Sequence, residues 1–432
     1  MKNILKKTNI LLPNKNIDLE KWTVIACDQY TSDKNYWDSV EDFVSTSPST
    51  LRLTLPEIYL EEDTFKRINN INNTMLEYLN NNIFTEYKDT MFYIERTLSN
   101  NKIRKGIITA IDLEEYDFKQ GSNSLIRATE KTIIERIPPR VKIRENASLE
   151  LPHIMLLIDD QEKDIIENIN TSNLDKLYDF ELMNNSGHIK GYKLDEEEIN
   201  KINLKLDKYL DKETFNKKYN TNNKDVLLFA VGDGNHSLAT AKTCYENLKE
   251  TMTKEEYLNH PSRYALVEIV NLHSNSLEFE PIHRVVFNVD IDDILKELNN
   301  YYEITETGEG QAFKIITKDE EKTLYIKNPK SNLSVGSIQI FLDEYLKDKT
   351  SKIDYIHEEE AVKKLITENN IGFIFDTIDK NELFKTVILV WESATTIPQG
   401  STLIIDTLVE VPRTLNGYDI VYSLINIAKA RV

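Results

Sequence analysis

The chain predicts an α/β fold of the α+β type, built on a mixed sheet, with a smaller α/β carboxy-terminal part. Three observations predict it. Apolar runs of strand length alternate with helix-period segments from one end to the other. One apolar run, 226–231, passes through Gly232 straight into a helix-forming stretch, a strand–helix junction of the kind that layered α/β folds repeat. The 432 residues are enough for roughly two to three domains, and the alternation changes character near residue 290. The expected division is therefore a main domain over 1–290 and a smaller one over 291–432.

Taken in order, WTVIAC (22–27) reads as a buried strand followed by a CDQYTS loop, and 33–46 as a short helix around Tyr36, Trp37, Val40 and Phe43. Residues 56–82 carry a helical pattern with Met75, Tyr78 and Leu79 inward. MFYIERTL (91–98) and RKGIITAIDL (104–113) read as strands of a hairpin turning at 99–102. IRATEKTIIERI (126–137) reads as a helix stopped by Pro138 and Pro139. HIMLLID (153–159) is a strand, and 160–225 is polar helix or loop. The 226–250 segment is strand, turn and then helix from Asn235, with Leu238, Ala241, Cys244, Tyr245 and Leu248 on one face. ALVEIVNL (265–272) and HRVVFNV (283–289) are strands. The carboxy-terminal part reads as a helix at 291–302, strands AFKIIT and KTLYIKN, helices near 337–348 and 358–368, and strands GFIFDTI and TVILVWES.

Composition narrows the function. There are 53 Lys and Arg against 72 Asp and Glu, a net charge of −19, which argues against a nucleic-acid partner because phosphate neutralisation needs a basic face. No apolar run is long enough to span a membrane, so no membrane partner is expected. The two cysteines, Cys27 and Cys244, lack a CxxC partner and read as small buried hydrophobes, and neither a disulfide framework nor a thiolate zinc site is expected. His153, His188, His260, His273 and His357 show no metal-ligand spacing. The amino terminus lacks the cleavage pattern of a signal peptide, so a cytoplasmic enzyme is expected.

The chemistry concentrates in Val231-Gly232-Asp233-Gly234-Asn235-His236-Ser237. Glycines at a strand end allow close approach of backbone to an anion, and the first N–H groups of a helix lack intrahelical partners and favour negative charge. Asp233 beside a phosphate makes sense as a Mg²⁺ ligand or as the acceptor of a hydroxyl proton. His236 suits hydrogen bonding or acid–base work near neutral pH. Spacing alone also allows a tight turn in which Asp233 or Asn235 caps the helix. The segment lacks the GxxxxGK[ST] spacing of a phosphate-binding P-loop. Arg136, Arg140 and Arg144 gather fork-shaped cations around two prolines, as an anion pocket or as surface ion pairs. Asp28, Gln29 and Tyr30 follow a strand, where ligand contacts often sit.

GDGNHSLATAK resembles the DGHHRYETA-type signature of the domain-of-unknown-function 1015 family. Further elements match in order. Arg104-Lys105-Gly106 resembles an LRKG-like element, and Thr129-Glu130-Lys131-Thr132 corresponds to HExT. Arg140 corresponds to the arginine that follows it, and Pro281-Ile282-His283-Arg284 to PTHR. The resemblance covers roughly residues 20–400 and points to a branch with CDQYTS (27–32) and SPSTLRL (47–53). Ser237 stands where the signature has arginine, and Thr129 where HExT has histidine. The turn is also similar to the DGHxR element of the ParB/sulfiredoxin-like superfamily, which includes nucleotide-dependent free-serine kinases.

The resemblance implies a ParB/sulfiredoxin-like core in which the turn binds nucleotide phosphates. It implies catalytic roles for Asp233, His236 and Glu130. Phosphate or substrate contacts would come from Gly232, Gly234, Asn235, Ser237, Lys242, Thr132, Arg127, Arg140, His283 and Arg284. Mg²⁺ would sit at Asp233, with ADP or ATP as co-substrate. The expected function is phosphoryl transfer between a nucleotide and a small hydroxyl metabolite, serine or phosphoserine being the specific expectation. The alternatives are a nucleotide-binding regulator without turnover and a phosphoserine-type phosphatase. The oligomeric state is left open.

Overall fold

The computed structural model describes residues 4–26, 33–59, 63–98, 100–119, 121–129, 137–152, 154–277, 281–331, 333–347, 349–357, 359–376, 379–390 and 427–429. It divides into two compact units. The first holds the described residues of 1–128, 132–277 and 415–432, and the second those of 129–131 and 278–414.

The first unit opens with β1 (Leu5–Lys6), β2 (Thr8–Pro13), α1 (Leu19–Trp22), α2 (Lys34–Val44) and α3 (Thr64–Asn80). It continues through β3 (Phe84–Thr90), β4 (Phe92–Thr97), β5 (Ile103–Asp112), β6 (Tyr116–Asp117), β7 (Ile126–Arg127), α4 (Ile137–Arg144), β8 (Leu149–Glu150) and β9 (Ile154–Ile158). There follow β10 (Asp175–Glu181), β11 (His188–Lys193), α5 (Glu196–Tyr209), α6 (Lys212–Tyr219), β12 (Phe229–Asp233), α7 (Asn235–Lys249), α8 (Lys254–Asn259) and β13 (Tyr264–Asn271). The second unit is β14 (Ile282–Phe287), α9 (Ile291–Tyr301), β15 (Ile304–Thr305), β16 (Gln311–Ile316), β17 (Glu321–Ile326), α10 (Ser334–Leu346), β18 (Lys352–His357), α11 (Glu359–Leu365), β19 (Asn370–Ile374) and α12 (Lys380–Val390). A last strand, β20 (Ile427–Lys429), returns to the first unit.

Among the described residues, the main sheet has ten strands in the order β10-β11-β4-β5-β13-β9-β12-β7-β6, with β1 beside β5. It is mixed: β13 and β9 are parallel, β12 is antiparallel to β9, and β7 is parallel to β12. The α+β mixed sheet is therefore the fold. A small sheet, β3-β2-β20-β8, adjoins it. The second unit is built on the order β15-β17-β16-β19-β14-β18.

The amphipathic α2 covers one sheet face. Trp37, Val40 and Val44 bury against Ile94, Ile108, Ile189 and Leu266, each such side chain contributing about 1.5–3 kcal/mol of transfer free energy. The LRKG-like element has a packing reason. Arg104 donates through Nε and Nη2 to both Glu268 carboxylate oxygens across β5 and β13, each at 3.0 Å. A Cβ on Gly106 would lie 2.5 Å from Glu268 Oε1, so only glycine lets that carboxylate reach the arginine.

Several expectations change. Residues 22–27 are not a strand: α1 ends at Trp22, Val24 and Ile25 bury in an irregular segment, and Cys27 lies outside the described residues. Pro138 and Pro139 lie inside a helix, α4 (Ile137–Arg144), rather than just after one, and residues 130–136 lie outside the described residues. The start of the expected 126–137 helix is strand β7. The polar stretch 160–225 contains a hairpin, β10–β11, in which Gly187 (φ 98°) stands where a Cβ would meet the Thr97 carbonyl oxygen. Residues of TVILVWES belong to α12, whose buried Leu383, Phe384, Val387 and Ile388 follow helical spacing; β18 was not expected. The second unit takes in residues from 278, ahead of the expected division at 290, because β14 pairs with β18 and β19. No helix among the described residues is long and apolar enough to cross a membrane.

Candidate functional site

β12 delivers the motif to the end of the main sheet. Ala230 pairs with Leu157 and Val231 with Leu156, and then the register slips so that Asp233 faces Met155. The slip is a bulge centred on Gly232. A Cβ there would come within 2.7 Å of Leu157 Cγ, so Gly232 serves the packing of that leucine.

Gly234 adopts φ 82° and ψ 27°, the left-handed region, and is the N-cap of α7. Its carbonyl accepts the Leu238 N–H at 2.9 Å and starts the helix. Being glycine, it places no side-chain oxygen over the first turn. By contrast α5, α6 and α8 start beneath the capping side chains of Asp195, Asp211 and Thr253. The expected alternative of Asp233 or Asn235 as the cap is thereby corrected. Asp233 ends the strand, and Asn235, buried at 4 % exposure, is the first helical residue. The Asp233 carboxylate accepts the Gly234 N–H through Oδ1 at 2.6 Å. That amide is thus spent on orienting Asp233, and any anion at this end would meet the amides that follow it. Asp233, His236 and Ser237 are half-buried. Thr240 Oγ1 donates to the His236 carbonyl at 2.7 Å, fastening the first turn.

Gly234→Ala is expected to cost about 1–2 kcal/mol, the penalty of a left-handed L-residue, read as a lower urea midpoint at unchanged m-value. It should also misplace Asp233, because the two residues share the 2.6 Å hydrogen bond.

The other expected residues distribute unevenly. Lys242 lies about two turns along α7, where it donates to the Leu113 carbonyl at 2.9 Å and pairs with Glu246 at 2.9 Å. It is committed there and does not reach the turn. Arg127 sits opposite Ala230 in the β7–β12 register, at 4 % exposure. It donates to the carbonyls of Ser124 and Asp225 at 2.8 Å, and to that of Val226. Burial lowers its pKa to about 10. It locks the approach to β12 rather than facing the turn. Arg140 is half-buried on α4, which packs along α7. Arg144 pairs with Glu150 at 2.5 Å, a structural bridge. Glu130, Thr132 and Arg136 lie outside the described residues, as do Asp28, Gln29 and Tyr30.

His283 and Arg284 lie within β14, in the second unit. His283 is 3 % exposed, and its Nδ1 accepts the Phe375 N–H at 3.3 Å. Arg284 is fully buried. It donates to Gln339 Oε1 at 2.7 Å and to the Ile282 carbonyl at 2.6 Å, and lies over the Tyr355 ring at 4.5 Å. Its charge is used inside that core, so it is a framework residue.

Sequence reasoning missed a buried network where β9 and β13 end, at the opposite end of the strands from Asp233. Asp159 accepts from His273 Nε2 at 2.7 Å, pairs with Lys218 at 2.9 Å, and accepts from the Tyr219 hydroxyl at 2.5 Å. Asp160 accepts from the Tyr209 hydroxyl at 2.8 Å. Paired aspartates directly after a strand were the available signal, but their partners come from α5, α6 and the residues after β13.

Among the described residues no group of three or more His, Cys, Asp and Glu converges as a metal cage. Mg²⁺ needs only one or two carboxylates when substrate phosphates complete its shell, and Asp233 is the carboxylate the turn presents.

Comparison with solved structures finds distant likenesses. A conserved hypothetical protein from Pyrococcus furiosus aligns at 12 % identity and TM-score 0.31, over 65 % of this chain and 84 % of that one. A free serine kinase variant in complex with AMP aligns at 12 % identity and TM-score 0.34, over 65 % and 81 %. SbnI with a C-terminal truncation, from Staphylococcus aureus, aligns at 8 % identity and TM-score 0.33, over 68 % and 80 %. No curated protein matches. The family model described as "Protein of unknown function (DUF1015)" matches residues 11–345, a span that takes in the Gly106 strand, the Gly234 turn and β14 together; the chain belongs to the DUF1015 family.

Proposed function

We propose that the protein is a nucleotide-dependent phosphotransferase acting on a small hydroxyl-bearing metabolite, with serine, or phosphoserine in the reverse direction, as the first substrate to test. The observation that carries this reading is the left-handed Gly234. It ends a strand on an oriented carboxylate and opens a fifteen-residue helix without a side-chain cap. Such a helix end favours a bound phosphate through its dipole and first-turn amides.

In the proposed reaction the metabolite hydroxyl oxygen attacks the terminal phosphorus of ADP or ATP. The bond from that phosphorus to the bridging oxygen breaks, and the nucleotide leaves one phosphate shorter. The hydroxyl proton passes to the Asp233 carboxylate, or to Glu130 if that residue is the base. His236 and the amides from Asn235 and Ser237 hold phosphoryl oxygens. Arg140, half-buried on α4 where that helix packs along α7, is the proposed cationic contact. Mg²⁺, when bound at Asp233, would neutralise charge shared between the phosphates. Positioning and electrostatics then supply most of the rate.

A thermal-shift titration with ADP, ATP and AMP, with and without Mg²⁺, tests the binding step. A ligand present at 100 times its Kd adds about 2.7 kcal/mol to the folded state, so a clear rise in Tm with ADP or ATP is the expected result. Labelled nucleotide should then be converted only when serine is present. Binding without conversion would support the regulator instead, phosphoserine consumption without nucleotide would support the phosphatase, and no shift with any nucleotide would remove the proposal.

A further inference from the structure

The buried network where β9 and β13 end holds a histidine that the phosphotransferase reading does not use. Two loops meet there, 159–165 after β9 and 271–277 after β13, and each is tied down. Asp160 Oδ2 accepts the Ile165 N–H at 2.8 Å, and the Asp160 carbonyl accepts the Lys163 N–H at 3.1 Å. Asn271 joins the loops. It donates through Nδ2 to the Asp160 carbonyl at 2.9 Å and accepts the His273 N–H through Oδ1 at 3.0 Å. His273 therefore leaves a fixed backbone.

Its ring is fixed as well. Asp159 Oδ1 lies 2.7 Å from Nε2, while Oδ2 is taken by Lys218 and Tyr219. An ionised carboxylate can only accept, so Nε2 carries a proton and the neutral ring keeps its lone pair on Nδ1. Nδ1 has no hydrogen-bond partner among the described residues and is open to solvent, although the side chain as a whole is 13 % exposed. A carboxylate behind an imidazole orients it and raises its basicity, which activates the far nitrogen. Other histidines lack this arrangement. His188 has Glu181 against Nδ1 and Asp179 against Nε2. His260 and His283 use Nδ1 to accept the backbone N–H groups of Ser262 and Phe375.

The surroundings favour an anion. Lys163 has a left-handed backbone, φ 55°, and its Nζ reaches across to Asn275 Oδ1 at 2.7 Å, two residues past His273. Asn275 is neutral, and Asp164, next to Lys163, pairs with Lys205 at 3.2 Å. Among the described residues no carboxylate pairs with Lys163, so the loop that carries His273 also gains a positive charge. A metal on Nδ1 would need further ligands, and among the described residues no three of His, Cys, Asp and Glu converge. A nucleophile needs none.

We infer that His273 is a phosphoryl-accepting residue, whose Nδ1 attacks a small anionic phosphoryl donor with a leaving group that departs without taking up a proton: an acyl phosphate or a phosphoramidate. The Nδ1–phosphorus bond forms as the bond from phosphorus to the leaving oxygen or nitrogen breaks. A carboxylate or ammonia departs. The ring becomes an imidazolium whose Nε2–H stays on Asp159, which balances the new charge. The site lies at the opposite end of the strands from Asp233, and the inference does not depend on the phosphotransferase reading.

The test uses the full chain near neutral pH without nucleotide, with acetyl phosphate in one arm and phosphoramidate in the other. Phosphate is mapped by mass spectrometry under non-acidic conditions, because a phosphorus–nitrogen bond on histidine is acid-labile. With either probe, His273 should carry most of the histidine-bound phosphate, and phosphorus NMR should show the Nδ1 isomer. In urea the label should spread over the seven histidines. Asp159→Asn should slow labelling about tenfold or more, as loss of a carboxylate behind a working histidine does elsewhere, and His273→Gln should abolish it at that position. Mapping the wild type residue by residue keeps the test decisive even where a variant fails to fold. Label on Nε2, label shared evenly among the histidines of the folded chain, or no label from either probe would overturn the assignment. So would an unchanged rate in a folded Asp159→Asn.

Discussion

Asp233→Asn is expected to lower turnover of nucleotide and serine by about 10²–10⁴-fold, the usual contribution of a positioned general base, with nucleotide still raising Tm. The argument is geometric. Asparagine is nearly isosteric, and its amide oxygen can keep accepting the Gly234 N–H that aspartate now accepts at 2.6 Å. The αL turn and the start of α7 should therefore survive. What disappears is the capacity to take a proton, together with one negative charge beside the phosphates. Losing that charge should leave nucleotide affinity equal or tighter in the absence of Mg²⁺. Turnover near the wild-type rate would remove Asp233 as the base and move the role to Glu130.

Asp159→Ala is expected to be the most destabilising single change considered, by about 3–5 kcal/mol, the cost of removing one partner from a buried ion pair. Asp159 is 3 % exposed and joins His273, Lys218 and Tyr219. Without it, an ammonium, an imidazole and a phenol face one another with no carboxylate between them. Urea unfolding should show the midpoint falling at unchanged m-value.

The same group sets an acid limit. Burial alone would push the Asp159 carboxyl up, but the His273 ring, the Lys218 ammonium and the Tyr219 hydroxyl together hold it below its ordinary 3.8. A carboxylate depressed in the folded state stabilises fully above its unfolded pKa, and that contribution is lost as pH falls through the folded one. Stability of the wild type should therefore drop below about pH 4 more steeply than that of Asp159→Asn. Parallel acid profiles for the two proteins would show that the network contributes nothing through Asp159.

Much of the fold could be read from local pattern. The hairpin of β4 and β5, the amphipathic α2 and the β12–α7 junction all lie close to their expected bounds, because periodicity and a glycine turn are properties of neighbouring residues. The hairpin β10–β11 escaped because most of its residues are exposed or half-buried. Its buried side consists of little more than Tyr178 and Ile189, too few apolar residues to give the alternation that marks a strand. α12 was misread because a run of Thr, Val, Ile and Leu suits a buried strand or a buried helix equally.

For the site, the chain by itself determined that a strand would end on Asp233, turn at Gly234 and open a helix, since only glycine enters that left-handed conformation at little cost. The tertiary structure decided what each cation does. Lys242 went to Leu113 and Glu246, Arg127 to the carbonyls before β12, and Arg284 to the core around Gln339. The physical reason is the cost of burying charge. A buried guanidinium or ammonium must find oxygen partners, and the oxygens within reach come from segments distant in sequence, so no local pattern announces the choice.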